Sequence, residues 1–115
     1  PLCIETVENG ELDQAIAMDM AVLAWSPLGG GRIGDPTNAR EQAVAAALSG
    51  VAAAHGVSRT AAAYSWIMAH PARPIPIVGS QNPARIAEAA DAYKVQWTRA
   101  DWYSVLVASR GVPLP

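Results

Sequence analysis

Apolar residues along this chain follow two kinds of pattern, and the two alternate. Two runs are continuous: Met20-Ala21-Val22-Leu23-Ala24-Trp25, and Arg73-Pro74-Ile75-Pro76-Ile77-Val78 with its apolar positions at the end. Each stops at a turn signal, Ser26-Pro27 or Gly79-Ser80. Short apolar runs bounded in this way predict strands buried on both faces, as in a parallel sheet. The prolines of the second run lie at its entry, where a missing ladder donor is tolerated.

The remaining periodic stretches have helical spacing and their own start and stop signals. A short helix over Glu11–Met18 follows the turn Glu8-Asn9-Gly10. Asn38 is an N-cap for a helix running to about His55, with Gly56 at C′. Ser58 caps the next helix, which carries Ala62, Tyr64, Ile67 and Met68 and stops before Pro71. Asn82 and Pro83 open another, aiming Ile86, Ala89 and Ala90 at a core. Thr98 and Asp101 form a capping box for a last helix that ends near Ser109 and closes at Gly111.

Strands alternating with helices imply an α/β protein with a parallel sheet or barrel. Two strands cannot close a barrel and make a poor sheet with both faces buried. The expectation is therefore one unit, residues 1–115, that is the end of a larger α/β domain. Its open sheet edge offers a surface for self-association. A small self-sufficient α/β domain is the competing expectation.

Composition narrows this picture. The chain is 51% hydrophobic and 16% charged, as folded globular proteins are. Much of the apolar content is alanine, and Phe is absent, so the core is expected to be thin and to rely on the four Trp. A net charge of -2 and scattered arginines, most of them read as solvated surface, argue against nucleic acid or an anionic membrane as partner. No apolar run approaches a membrane span, and no signal-peptide pattern is present. Cys3 is alone, which excludes an internal disulfide, suits a reducing cytoplasm, and sits in a terminus expected to be loose.

The candidate chemistry lies in the two strand-end turns. Gly29-Gly30-Gly31-Arg32-Ile33-Gly34 formally matches G-x-G-x-x-G, but Asp35-Pro36-Thr37 follows where the dinucleotide fingerprint needs a helix. That reading is rejected. Gly79 and Ser80 offer backbone donors and a hydroxyl beside a helix N-terminus, which favours an anion. Arg85 either forks onto a phosphate there or pairs on the surface with Glu88. His55 reads as a surface or capping residue, His70 as a charge on a helix dipole, and Tyr64 and Tyr103 as core. No metal-ligand spacing and no nucleophile–base arrangement is visible.

Ala24-Trp25-Ser26-Pro27-Leu28-Gly29-Gly30-Gly31, paired with Pro76-Ile77-Val78-Gly79-Ser80-Gln81-Asn82-Pro83-Ala84-Arg85-Ile86, resembles the C-terminal portion of bacterial aldo-keto reductases. The resemblance implies strands 7 and 8, with their helices, of a (β/α)8 TIM barrel whose sites lie at the C-terminal strand ends. It implies NADP, bound as NADPH, and a small carbonyl substrate. By motif position Trp25 stacks on the nicotinamide, and Ser26, Pro27, Leu28, Gly29 and Gly30 lie along the pyrophosphate. Ser80 and Arg85 grip the 2′-phosphate, with Gly79 and Gln81 in the same cofactor-binding turn and Glu88 and Ala89 near the adenine. Many members have lysine at Gly79 and asparagine at Ala89, and those departures leave NAD as an alternative cofactor. The family's Asp, Tyr, Lys and His tetrad maps onto no residue here, so no catalytic residue is assigned and the isolated piece is expected to be inactive. A non-catalytic binding or regulatory protein on the same fold is the alternative.

Overall fold

Capping side chains set the helix boundaries in the computed structural model, which describes residues 1–115. Helix α1 spans Glu5–Glu8 and α2 spans Glu11–Ala17. Helix α3 (Ala39–His55) opens where the Asn38 side chain accepts from the Glu41 N–H, and closes on Gly56 at φ 65°. Helix α4 (Arg59–Met68) opens at Ser58, and α5 (Pro83–Ala89) at Asn82. Helix α6 (Arg99–Arg110) opens at Thr98, whose hydroxyl accepts from the Asp101 N–H at 3.1 Å and donates to Asp101 Oδ2 at 2.8 Å. The one-turn α1 and a 3-10 helix over Ala90–Lys94 go beyond the sequence reading, since neither is long enough to repeat an apolar period.

The strands are shorter and more exposed than the sequence predicts. β1 is Leu23–Ala24 and β2 is Ile75–Pro76, paired in parallel with Leu23 opposite Ile75 and Ala24 opposite Pro76. The Ile75 N–H donates to Val22 O at 2.8 Å, and the Ile77 N–H to Ala24 O at 2.9 Å. Burial on both faces is not observed: Leu23 is 63% exposed, and Met20, Trp25, Ile75 and Ile77 are exposed with it. A strand is buried on both faces only when neighbours and packed layers cover it. Each strand here has a single neighbour.

The core lies instead among α3, α4, α6 and the first residues of the chain. Val44, Leu48, Ala62, Trp66 and Val105 are buried there together with Leu2, Ile4 and Ile33. The start of the chain is thus packed and not loose. Arg40 reinforces it by donating from Nη1 to Leu2 O at 2.9 Å and to Ser109 O at 3.1 Å. Arg40 is thus structural and not simply solvated, and so is Arg59, whose Nε donates to Ser49 Oγ at 2.8 Å.

Trp66 and Trp102 stack with ring centroids 4.8 Å apart, and each indole N–H donates to the other residue's carbonyl at 3.0 Å. Ile86, expected in the core, is exposed, because α5 buries none of its residues. Tyr103 is 41% exposed and meets Trp102 edge-on, so it covers the aromatic pair and does not enter the core. No helix is long and apolar enough to cross a membrane.

Candidate functional site

Parallel pairing in register brings the C-terminal ends of β1 and β2 together, so both glycine-containing turns leave from one end of the sheet. Trp25 stands at the end of β1, 83% exposed. Ser26 follows at φ 48°, in the left-handed region that a non-glycine residue adopts at a cost of about 1–3 kcal/mol. Gly29, Gly30 and Gly31 then have φ of 61°, 67° and 90°. Three consecutive left-handed residues explain why glycine occupies each position.

This backbone leaves donors uncommitted. The Gly29 N–H donates to Ser26 O, but those of Gly30 and Gly31 donate to no protein acceptor. Trp25, Ser26, Pro27, Gly29, Gly30 and Arg32 border one end of a groove of about 660 Å³. Trp66, His70 and Trp102 border it elsewhere. Leu28 turns inward and packs on the core.

The two glycines that face the groove differ in what lies behind them. A Cβ at Gly29 would meet Leu2 Cδ1 at 2.7 Å, whereas one at Gly30 would meet nothing within 4 Å. Gly29→Ala is expected to cost about 2–3 kcal/mol and Gly30→Ala about 1 kcal/mol, the backbone term alone. Urea denaturation of the two variants checks this, and equal losses would mean that the turn is not seated on Leu2.

A set of residues that sequence reasoning passed over holds the turn. Arg32 Nε donates to Gly29 O at 2.9 Å, and its Nη1 to Glu41 Oε1 at 2.9 Å. Glu41 is only 1% exposed, and its other oxygen accepts from the Thr37 N–H and hydroxyl, both at 2.8 Å. The Thr37 bonds, with Arg32 beside them, hold the Glu41 carboxyl below its ordinary value, against burial that acts the other way. Ile33 is buried as a plug, and Arg59 Nη1 donates to its carbonyl at 3.1 Å. The Asn38-x-x-Glu41 spacing is a capping-box signal that marks this carboxylate in the sequence.

The second turn is built differently. Gly79 has no left-handed backbone, and a Cβ there would meet open space. Ser80 Oγ accepts from the Asn82 N–H at 3.1 Å. The N–H groups of Gly79, Ser80 and Gln81 donate to no protein acceptor. Arg85 is exposed and forms no ion pair with Glu88, so the surface-pair alternative is not the observed one. Ala89 borders a second groove of about 440 Å³ with Tyr64, Met68, Val78 and Tyr93. The remaining second-turn candidates, from Gly79 to Glu88, border neither groove.

Two titratable groups nearby are shifted by burial. Burial, then the Glu88 charge, pushes the buried Tyr64 phenol above its ordinary value, so it stays protonated. Burial lowers the His70 imidazole, with Asp13 opposing, and its Nδ1 accepts from the Ala72 N–H at 3.1 Å. An accepting Nδ1 belongs to the neutral ring, so His70 is not the helix-dipole cation that its position suggested. His55 Nδ1 lies 2.9 Å from Val51 O, consistent with a helix-end role. What the strand ends assemble is an exposed aromatic face, two sets of unpaired N–H donors, and a free guanidinium in the first turn of α5. Such an arrangement suits an extended anionic ligand with a planar group.

Known proteins give an independent view. The profile of the aldo/keto reductase family matches residues 3–106. A 6-dehydroglucose reductase of Novosphingobium aromaticivorans is 64% identical over 115 residues, all of this chain and 38% of the relative. A 6-dehydroglucose reductase of Agrobacterium fabrum is 34% identical over 110 residues, 96% of this chain and 36% of the relative. The oxidoreductase YdhF of Escherichia coli is 30% identical over 112 residues, 93% of this chain and 36% of the relative. The chain thus spans well under half the length of these relatives.

Proposed function

Since this chain belongs to the aldo/keto reductase family, we propose that it is the cofactor-binding portion of an NADPH-dependent reductase of aldehydes or ketones. The observation that carries this reading is the pair of turns at adjacent parallel strand ends, each with unpaired N–H groups, next to the exposed face of Trp25. In this reading Trp25 stacks on the nicotinamide and the Gly30 and Gly31 N–H groups meet the diphosphate. Ser80 and Arg85 hold the 2′-phosphate, and Glu88 and Ala89 flank the adenine. β1 and β2 are then the seventh and eighth strands of a (β/α)8 barrel, which accounts for the exposed apolar faces of Leu23, Ile75 and Ile77.

Held by Trp25, the Gly30 and Gly31 N–H groups, Ser80 and Arg85, NADPH would supply the hydride for reducing a carbonyl to an alcohol, with the proton coming from a group outside these 115 residues. This chain's residues bind and orient; the tetrad that the family resemblance implies has no counterpart among them, so the 115 residues alone are proposed to bind cofactor without turnover. For the substrate we propose a sugar aldehyde, with 6-dehydroglucose the first compound to try, because two relatives carry that substrate in their names.

Titration with NADPH is expected to quench tryptophan emission, and Trp25→Ala to abolish most of the quench. Arg85→Ala is expected to weaken NADPH about tenfold and leave NADH unchanged, as loss of one charge-assisted phosphate contact would. Equal losses for both cofactors would remove Arg85 from the 2′-phosphate. If neither cofactor bound, the reading as a whole would be overturned, and aldehyde-dependent NADPH oxidation by the 115 residues alone would overturn the assignment of chemistry to other segments.

A further inference from the structure

The buried carboxylate of Glu41 plays no part in the cofactor contacts proposed above, yet its hydrogen bonds lead directly to them. Oε1 takes Arg32 Nη1, and Oε2 takes both Thr37 donors. The Glu41 backbone N–H donates to Asn38 Oδ1 at the start of α3, and the Thr37 donors hold its carboxylate, so the guanidinium is fixed at one end. At its other end Arg32 Nε reaches Gly29 O at 2.9 Å, and the Arg32 N–H reaches the same oxygen at 3.4 Å.

A trans peptide is planar, with its C=O and N–H pointing in opposite directions. Anchoring the Gly29 carbonyl toward Arg32 therefore turns the Gly30 N–H away from Arg32. That N–H has no protein acceptor, and Gly30 borders the groove beside Trp25. Left-handed glycines have a soft backbone and many alternative conformations, so such a donor keeps one direction only if something outside the turn holds it. The Arg32 fork does so by bridging two acceptors at fixed angles, which a lysine ammonium cannot reproduce.

We propose that Glu41 and Arg32 are positioning residues: through the Gly29 carbonyl they aim the Gly30 N–H at the diphosphate of the bound cofactor. This rests on the cofactor reading above. Preset donors cost little to organise at binding, so losing the clamp appears as lost affinity for ligands that contain the diphosphate. A ligand that engages only the second turn is unaffected.

The test compares NADPH with adenosine 2′,5′-bisphosphate, which has the adenosine end but neither the bridging diphosphate nor the nicotinamide. Both are titrated into the purified protein and into its Glu41→Gln, Arg32→Ala and Arg32→Lys variants, with thermal melts to verify folding. Each variant is expected to bind NADPH about tenfold more weakly, to bind the bisphosphate as the parent does, and to combine non-additively when Glu41→Gln and Arg32→Ala are joined. Parent affinity for NADPH in Arg32→Lys would overturn the clamp in favour of simple charge attraction. Equal weakening of both ligands would reduce Glu41 to a general folding role and overturn the positioning. If the parent protein bound neither ligand, the cofactor reading itself would fall. Arg32→Lys alters an exposed side chain, so it decides the matter even if Glu41→Gln does not fold.

Discussion

Trp66→Ala is expected to cost about 3–5 kcal/mol, the range for removing a large aromatic side chain from a core. A domain's whole stability is about 5–15 kcal/mol, so this variant should be largely unfolded on mild warming. Several losses coincide at this position. Trp66 is 3% exposed, so truncation opens a cavity between α4 and α6. The stacked partner Trp102, whose ring lies 11° from parallel, loses its neighbour. The Trp102 carbonyl loses the indole N–H that bonds it at 3.0 Å.

In the other direction, the Trp102 indole satisfies the Trp66 carbonyl, one of the four at the end of α4 without a partner inside the helix. Trp66→Phe keeps the ring and removes one hydrogen bond, so it should cost only about 1–2 kcal/mol. Urea denaturation with an unchanged m-value separates the two variants. A loss below 1 kcal/mol for Trp66→Ala would show that α4 and α6 are held by something other than this pair.

Ile33→Ala is expected to cost about 2–4 kcal/mol and to weaken NADPH binding in the same protein. Ile33 is 1% exposed and belongs to the core cluster, yet it lies only two residues beyond Gly31. It joins the turn to the core by burial, while Arg59 holds its carbonyl and Ser49 Oγ holds the Arg59 Nε at 2.8 Å. Removing the side chain leaves a void under the turn and frees the three left-handed glycines. Ile33→Val, one methylene smaller, should cost about 1 kcal/mol and leave the turn seated. Calorimetric titration with NADPH below the melting temperature reads both effects. Parent affinity in a destabilised Ile33→Ala would mean that the glycine turn keeps its shape without the plug.

Much of this protein was readable residue by residue. Asn38, Ser58, Asn82 and Thr98 cap helices where the sequence places them, and Gly56 and Gly111 end them in the left-handed conformation. A cap is a bond between residues two or three apart, so its signal is local. The rejection of the dinucleotide fingerprint has the same basis: Gly34 leads into an irregular segment, and the next helix begins at Ala39. The strand predictions went further than a local signal can. A continuous apolar run reports that a segment is suited to burial, but whether anything covers it depends on elements elsewhere. Here only β1 and β2 cover each other, and Leu23 and Ile75 remain exposed.

The site divides along the same line. The glycines of the first turn follow from the order of amino acids, because each answers a left-handed requirement of its own backbone. The direction in which the Gly30 N–H points does not. It depends on Arg32 meeting Glu41 nine positions away and on Arg59 reaching Ile33 across 26. The side-by-side approach of the two turns depends on the pairing of Leu23 with Ile75. Short-range bonds are encoded where they act, whereas the carboxylate, the two arginines and the parallel register acquire their roles only when folding brings distant segments within hydrogen-bonding reach.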